Sequence, residues 1–515
     1  MEMPPAPDEP RRAPVARGRE AAVRRPLLLM SAGGAVSKVF AAGREIAMAH
    51  AFGTGPVSDA YRASLSATLS PVHMLTTQVI QTCFIPLCAR DLETQPRRAW
   101  ALFQGLTILF LGLGLLLATA LLLFAGPFVA LLLPGFDPAS RELTAAMLRV
   151  MALGIPAYIF TAQLGALGAA HRDFAIPTVR PAALNLGMLG AILIAALAGR
   201  PLWAAYGFTG TYGLLALWAL FWLRRRGRLP RAWCLERPLL GALANSLWRP
   251  LRPLLLVTAL GEANLLLERT IASLVGGGTV AAIDYARFVT ETAHSLLILP
   301  LGLISLSAFA ALDARRSAAL ADRLSGLILI LFLPLSAFLL LNGREILALL
   351  FLRGHFDAGS LAASSRALLG LSAGLWAFSA AHFLRRVLNA RMENGVVLRG
   401  EIAAVAANLT VNLLLYRQLG ILALGLGFSA GALAALALYV RHLGLWRGAA
   451  ARAARVLFLA LLPYLLGAWA LRAQADGLGG LALQALLALL YWGACLLGTP
   501  PLRALLRDRA AGEPR

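Results

Sequence analysis

Runs of about twenty apolar residues, each closed by a short polar connection, recur along the chain and can be counted as about fourteen helices between Leu27 and Leu497. At about 1.5 Å per residue, such a run crosses the roughly 30 Å hydrocarbon core of a bilayer. The plainest lie at 100–125, 202–223, 324–341 and 482–497. Two others, 27–49 and 253–276, are interrupted by ionisable residues and would fail a simple hydropathy test. The pattern predicts an all-α polytopic membrane protein.

Composition removes the soluble alternative. Of 515 residues, 59% are hydrophobic and 14% charged, and the mean hydropathy is +0.73. A soluble core cannot hide that much apolar surface, so lipid is the solvent. The net charge of +22 falls mostly in every second connection, at Arg90, Arg97 and Arg98, at Arg224–Arg226, Arg228 and Arg231, and at Arg385, Arg386 and Arg391. Short arginine-rich loops stay in the cytoplasm, which predicts that both termini are cytoplasmic. Such a rim attracts anionic membrane lipids at about 1 kcal/mol per residue, and no nucleic-acid partner is expected. Residues 1–26, rich in Pro and Arg, read as a disordered basic cytoplasmic arm that is not cleaved.

Chemistry-bearing motifs are sparse. Cys83, Cys88, Cys234 and Cys495 have no metal-ligand spacing, and the Gly276–Gly278 run follows a helix rather than a strand, so it is a turn and not a phosphate cradle. No enzyme, cofactor or metal is implied.

The informative feature is an internal repeat. Arg44, Gly53, Asp59 and Arg62 recur as Arg269, Gly278, Asp284 and Arg287, each 225 residues on (269−44 and likewise for the rest). Phe136-Asp137 recurs as Phe356-Asp357, and Ala170 as Ala390, at a spacing of 220. An even number of helices separates the copies, so the halves share one orientation and are related by an axis along the membrane normal, with substrate expected between them. The predicted organisation is two pseudo-symmetric six-helix lobes, 27–223 and 253–447, joined by a cytoplasmic linker at 224–252. Two C-terminal helices within 448–500 and a cytoplasmic tail at 501–515 follow.

At these residues the chain resembles the MviN/MurJ lipid II flippases of the multidrug/oligosaccharidyl-lipid/polysaccharide exporter superfamily. The carriers are Ser37-Lys38-Val39 with Arg44-Glu45, Ala51-Phe52-Gly53-Thr54-Gly55 with Asp59-Ala60, and Pro134-Gly135-Phe136-Asp137. Arg353-Gly354-His355-Phe356-Asp357 and Asn408 with Asn412-Leu413-Leu414-Leu415 complete the set. Three features depart from the family pattern. Lys38 stands in place of an arginine, the arginine-bearing signature of the second helix is replaced through Ser66–His73 with only Phe84-Ile85-Pro86 remaining, and Tyr285-Ala286-Arg287 is one residue short. The resemblance implies a central cationic cavity and a groove for a polyprenyl tail beside the last two helices. It also implies outward movement, by alternating access across the bacterial inner membrane, of a polyprenyl-diphosphate-linked saccharide, either lipid II or a related exopolysaccharide unit. Cell-envelope synthesis proteins are the expected further partners.

Intramembrane charge is kept where it faces a protein interior or a watery cavity. On that ground Lys38, Arg44, Arg269 and Arg287 are the expected diphosphate-binding set, and local pairing with Glu45, Glu262, Glu268 or Glu291 is the competing explanation. Asp59, Arg62, Glu262, Glu291 and His294 are candidates for a gate or for coupling. Asp137 and Asp357 are expected to cap helix starts, and Asn185 and Asn408 to join neighbouring helices. The rival functions are a drug antiporter on the same scaffold, a saccharide transferase, and a transport-inactive scaffold of an envelope-synthesis complex.

Overall fold

The computed structural model describes residues 15–78, 80, 84–229, 237–310, 314–445, 461–472 and 477–498. These residues form α-helices and short connections. The first half comprises α1 (Val15–Phe52), α2 (Pro56–Gln78), α3 (Ile85–Thr94), α4 (Pro96–Leu132), α5 (Pro138–Ala152), α6 (Ile155–Ala170), α7 (Ala175–Ala198) and α8 (Trp203–Arg225). The second comprises α9 (Arg237–Val275), α10 (Thr279–Ala310), α11 (Ala314–Phe351), α12 (Ala358–Ala390), α13 (Asn394–Leu419) and α14 (Ile421–His442). Two further helices follow, α15 (Leu462–Arg472) and α16 (Gly477–Gly498).

Seven of the described helices are each apolar and long enough to cross a bilayer, namely α4, α7, α8, the Ile328–Phe351 stretch of α11, α12, α13 and α14. The pair α5 and α6, bent by 41° at Leu153-Gly154, makes an eighth span. With α1, the broken pair α2–α3, α9, α10, α15 and α16, the arrangement accommodates the expected fourteen. The charged helices fail the hydropathy test because their inward faces carry ions, while large leucines such as Leu116, Leu131, Leu197 and Leu489 cover the exterior.

Two expected boundaries shift. Helix α1 begins at Val15, inside the segment expected to be a disordered arm, and α9 begins at Arg237, inside the expected linker 224–252. Apolar runs mark where lipid begins, whereas Ala, Leu, Glu and Arg prolong a helix beyond it at little conformational cost. The tail 501–515, Cys83 and Cys234 lie outside the described residues.

Sequence signals place several breaks. Pro86 sits in the first turn of α3, where its missing N–H is tolerated, and so restarts the second span after Phe84. Asp137 and Asp357 occupy equivalent caps: the backbone N–H of Ser140 donates to Asp137 Oδ2 at 3.1 Å and that of Ser360 to Asp357 Oδ1 at 2.7 Å. The Ser140 hydroxyl and amide hold the Asp137 carboxyl below its ordinary range, and the Ser360 amide and hydroxyl do the same for Asp357. The asparagines join helices as expected, Asn185 donating to Ser37 Oγ at 3.2 Å and Asn408 to Asn264 Oδ1 at 3.2 Å.

The repeat extends further than the sequence motifs. Arg172 and Met392, again 220 apart, are the described non-glycine residues with positive φ, at 59° and 60°. Each is followed by an acid, Asp173 or Glu393, which holds the end of the last helix of its half. Trp222 Nε1 donates to Asp173 Oδ2 at 3.0 Å, and His442 Nε2 lies 2.6 Å from Glu393 Oε2. Trp222 and His442 are themselves 220 apart. The two halves therefore share a turn, an acid and a latch, with different donors.

Helix α16 packs along α11 and against α15, with Tyr464, Ala468 and Trp492 buried around Ala337. The halves meet mainly where α2 packs on α9 and α10 and where α4 packs on α9.

Candidate functional site

The site grows from two helical hairpins. Gly53 (φ +55°) turns α1 into α2, and Gly278 (φ +82°) turns α9 into α10; glycine tolerates this left-handed backbone without a Cβ clash. Each turn also lies against the other half. A Cβ on Gly53 would overlap the carbonyl of His355, and one on Gly278 the carbonyl of Thr54. Around them the seam is closed by a 2.8 Å contact between the Thr54 and Ser360 hydroxyls, by the His355 N–H donating to the His50 carbonyl at 2.9 Å, and by the Gly135 N–H donating to Ser273 Oγ at 3.2 Å.

Asp59 completes this seal. It is 1% exposed and accepts from the backbone N–H of Gly278 at 2.6 Å and of Ala281 at 2.7 Å. The carboxylate of one half thus caps the first turn of a helix in the other, where unpaired amides and the helix dipole favour negative charge.

One turn deeper, both hairpins contribute to a single ionic network. Arg44 and Arg62 stand nine residues either side of Gly53, and Arg269 and Arg287 nine either side of Gly278, so each hairpin brings its arginines to one level. Glu45 accepts from Arg44 at 2.6 Å through Oε1 and from Arg62 at 2.5 Å through Oε2. Arg62 reaches Asp284 of the other half at 3.5 Å and lies 4.3 Å over the Tyr285 ring. Asp284 accepts from Arg269 at 2.7 Å and faces Arg287 at 3.7 Å, and Arg287 binds both oxygens of Glu268 at 2.6 and 2.7 Å. Four arginines share three carboxylates, and Asp59 and Glu291 lie close enough to act on the same guanidinium groups. Tyr285 ties the hairpins again by donating to the Gly53 carbonyl at 3.1 Å.

The structure therefore brings together Arg44, Arg62, Arg269 and Arg287, with Asp59 beside them. Arg287 lies within α10, two turns beyond its first residue. Lys38 sits on the same helix as Arg44, about 9 Å along the axis, and donates to Ser295 Oγ at 2.5 Å across the halves. Glu291 is exposed and one turn before Ser295 on α10. Glu262 pairs elsewhere, 3.2 Å from His73. His294 lies inside the second half, 2.9 Å from Ser379 Oγ and ringed by Phe332, Phe378 and His382. Among the described residues no group of three or more His, Cys, Asp or Glu is placed to hold a metal ion.

Sequence reasoning missed Arg180 on α7, whose guanidinium lies 4.6 Å over Tyr158 and 5.6 Å from the Tyr212 ring centre. The available signal was an arginine inside a helix flanked by apolar turns, the same signal that marked Arg44.

A profile of the family described as "Lipid II flippase MurJ" matches residues 48–475, well over half of the chain. The chain belongs to the lipid II flippase MurJ family. Membership places it among transporters rather than enzymes. It is 28% identical over 411 residues to a probable lipid II flippase MurJ of Rhizobium tropici, covering 75% of each protein. To one of Rhizobium meliloti (strain 1021) it is 28% identical over 362 residues, covering 66% of each. The chain therefore spans two thirds to three quarters of the length of these MurJ relatives. A solved structure titled "Lipid II flippase MurJ, inward closed conformation" superposes with a TM-score of 0.76 at 15% identity, over 90% of this chain and 97% of that one. An inward-facing multidrug resistance MATE family transporter superposes with a TM-score of 0.62 at 16% identity, over 80% of this chain and 94% of that one. At such identities the two structures establish the shared fold alone.

Proposed function

We propose that this chain carries a polyprenyl-diphosphate-linked saccharide, lipid II or a related exopolysaccharide unit, across the bacterial inner membrane. The arginine-rich end and both termini face the cytoplasm, and two lobes, 27–223 and 253–447, rock about the seam. Lys38, Arg44, Arg269 and Arg287 receive the diphosphate, the prenyl tail stays in lipid beside α15 and α16, and anionic lipids meet the arginine rim. Envelope-synthesis proteins supply and take up the cargo.

The observation that supports this reading is the single arginine-rich network built from both halves. Diphosphate oxygens form the same charge-assisted bonds to guanidinium groups as Glu45, Asp284 and Glu268. An incoming headgroup can exchange with these carboxylates, loosening the ties that Arg62 and Arg287 make to Asp284. Asp59 and Arg62 then act as the gate at the turn end, because releasing the α10 cap frees the seam. Glu262, Glu291 and His294 are the side chains available for coupling. A membrane potential, negative inside, adds about 2.3 kcal/mol per 100 mV for each negative charge moved outward.

Depleting a host's own lipid II flippase tests the assignment. The chain is expected to restore growth, and Arg44→Ala or Arg269→Ala, at equal expression, to lose that rescue. Rescue by the single alanine variants of all four cations would discard the binding set. Failure of the well-expressed, unmodified chain would favour a non-murein saccharide or a transport-inactive scaffold.

A further inference from the structure

We infer that Arg180 is an additional anion-binding residue, which receives the diphosphate of the lipid-linked cargo before it reaches the arginine network. This rests on the flippase reading and adds a contact to it.

Position comes first. Helices α1 and α7 run side by side in the same direction, since Gly33 abuts Thr178, Ser37 meets Asn185, and Arg44 lies 3.8 Å from Met188 Sδ. Arg180 is eight residues before Met188 and therefore about 12 Å nearer the arginine-rich end. Lys38 lies between those levels. Entering from that end, an anion meets Arg180, then Lys38, then Arg44 and the network.

Partnership separates Arg180 from the other arginines. Arg44, Arg62, Arg269 and Arg287 all have carboxylates within 4 Å. Among the described residues no carboxylate lies that close to Arg180, whose contacts are the Tyr158 and Tyr212 rings and a 3.4 Å bond to the Tyr212 hydroxyl. Those rings are themselves fixed. Tyr158 and Tyr212 are buried, 4.8 Å apart edge to face, with Phe208 at 5.0 Å from Tyr212. Apart from the bond to Tyr212, a guanidinium resting on aromatic faces keeps in-plane donors for another group, and its planar fork fits phosphate oxygens.

The seam is adjacent. Tyr158 also faces His73 at 6.0 Å, and His73 bridges to Glu262 on α9 of the other half. Arg180 is thus set on the wall of the first half beside the junction where cargo must pass. Unlike the paired arginines, it can bind an anion without first giving up a carboxylate.

The test measures binding of geranylgeranyl diphosphate to the purified full-length chain in detergent. Arg180→Met, which keeps the stem and removes the charge, is expected to weaken binding about tenfold, as for loss of one charged hydrogen bond. Arg180→Lys should recover part of that loss, and binding of uncharged geranylgeraniol should not change. Full-strength diphosphate binding by a folded Arg180→Met chain would overturn the inference while leaving the flippase reading standing. So would a loss confined to phosphatidylglycerol or to inorganic pyrophosphate. Absence of diphosphate-lipid binding by the unmodified chain would overturn both.

Discussion

Replacing Asp284 by alanine is expected to lower the thermal midpoint of the detergent-solubilised chain more than removal of any single arginine of the network, and to abolish growth rescue. Asp284 is the carboxylate shared between the halves: it binds Arg269 at 2.7 Å and faces Arg62 and Arg287 at 3.5 and 3.7 Å. Removing it leaves three cations at 3–17% exposure without their common counter-charge. Breaking a buried pair by deleting one partner costs about 3–5 kcal/mol, because the surviving charge remains desolvated. Asp284→Asn keeps the shape and an acceptor oxygen and should fall between alanine and the unmodified chain. Thermal melts of these three proteins and of the Arg44, Arg62, Arg269 and Arg287 single alanine variants check the order, and equal midpoints for Asp284→Ala and the unmodified chain would mean that Asp284 contributes nothing to holding the halves together.

Gly278→Ala is expected to prevent closure of the seam. The new Cβ would collide with the backbone carbonyl of Thr54, and at φ +82° an L-residue is strained as well. The backbone term alone is about 1–2 kcal/mol, and a carbonyl held by α1 and α2 cannot swing aside as a side chain would. Gly277→Ala is the control, since nothing lies within 4 Å of a Cβ there. With Cys83, Cys88, Cys234 and Cys495 replaced by alanine, Thr54→Cys and Ser360→Cys report on closure, their hydroxyls being 2.8 Å apart. Cross-linking should fall steeply with Gly278→Ala and hold with Gly277→Ala. Unchanged cross-linking in both would mean that the contact of Gly278 with Thr54 does not govern closure of the seam.

Much of this architecture was legible in residue order. The 225-residue repeat picked out Arg44, Asp59 and Arg62 with their equivalents Arg269, Asp284 and Arg287, and Asp137 and Asp357 announced their helix starts. The paired carboxylates were only half legible. Glu45 and Glu268 follow from position, because each lies within one residue of its arginine partner's distance from the glycine turn, and residues so placed sit near one level in a hairpin. Which acid an arginine chooses depends on how each helix is rotated, and periodicity does not report that when both faces are apolar. Asp59 and Asp284 illustrate this most clearly. They are repeat equivalents, yet one caps the opposite helix and the other neutralises arginines. The symmetry of the sequence could not predict that divergence, because it arises from the contact between the halves. Arg180 escaped for a simpler reason: it belongs to neither repeat nor family motif, and its significance lies in the tyrosines from two other helices beneath it.

On the proposed function, cations from the two halves act together on a lipid diphosphate crossing the bilayer. Reconstitution of the chain into proteoliposomes carrying a fluorescent polyprenyl-diphosphate saccharide tests it most directly, with the fraction exposed on each leaflet followed over time. Transfer by the unmodified chain, slowed about tenfold or more by Arg44→Ala in one half and equally by Arg269→Ala in the other, is the predicted result. Transfer that survives both substitutions, or no transfer of any diphosphate-linked saccharide by the folded chain, would contradict it.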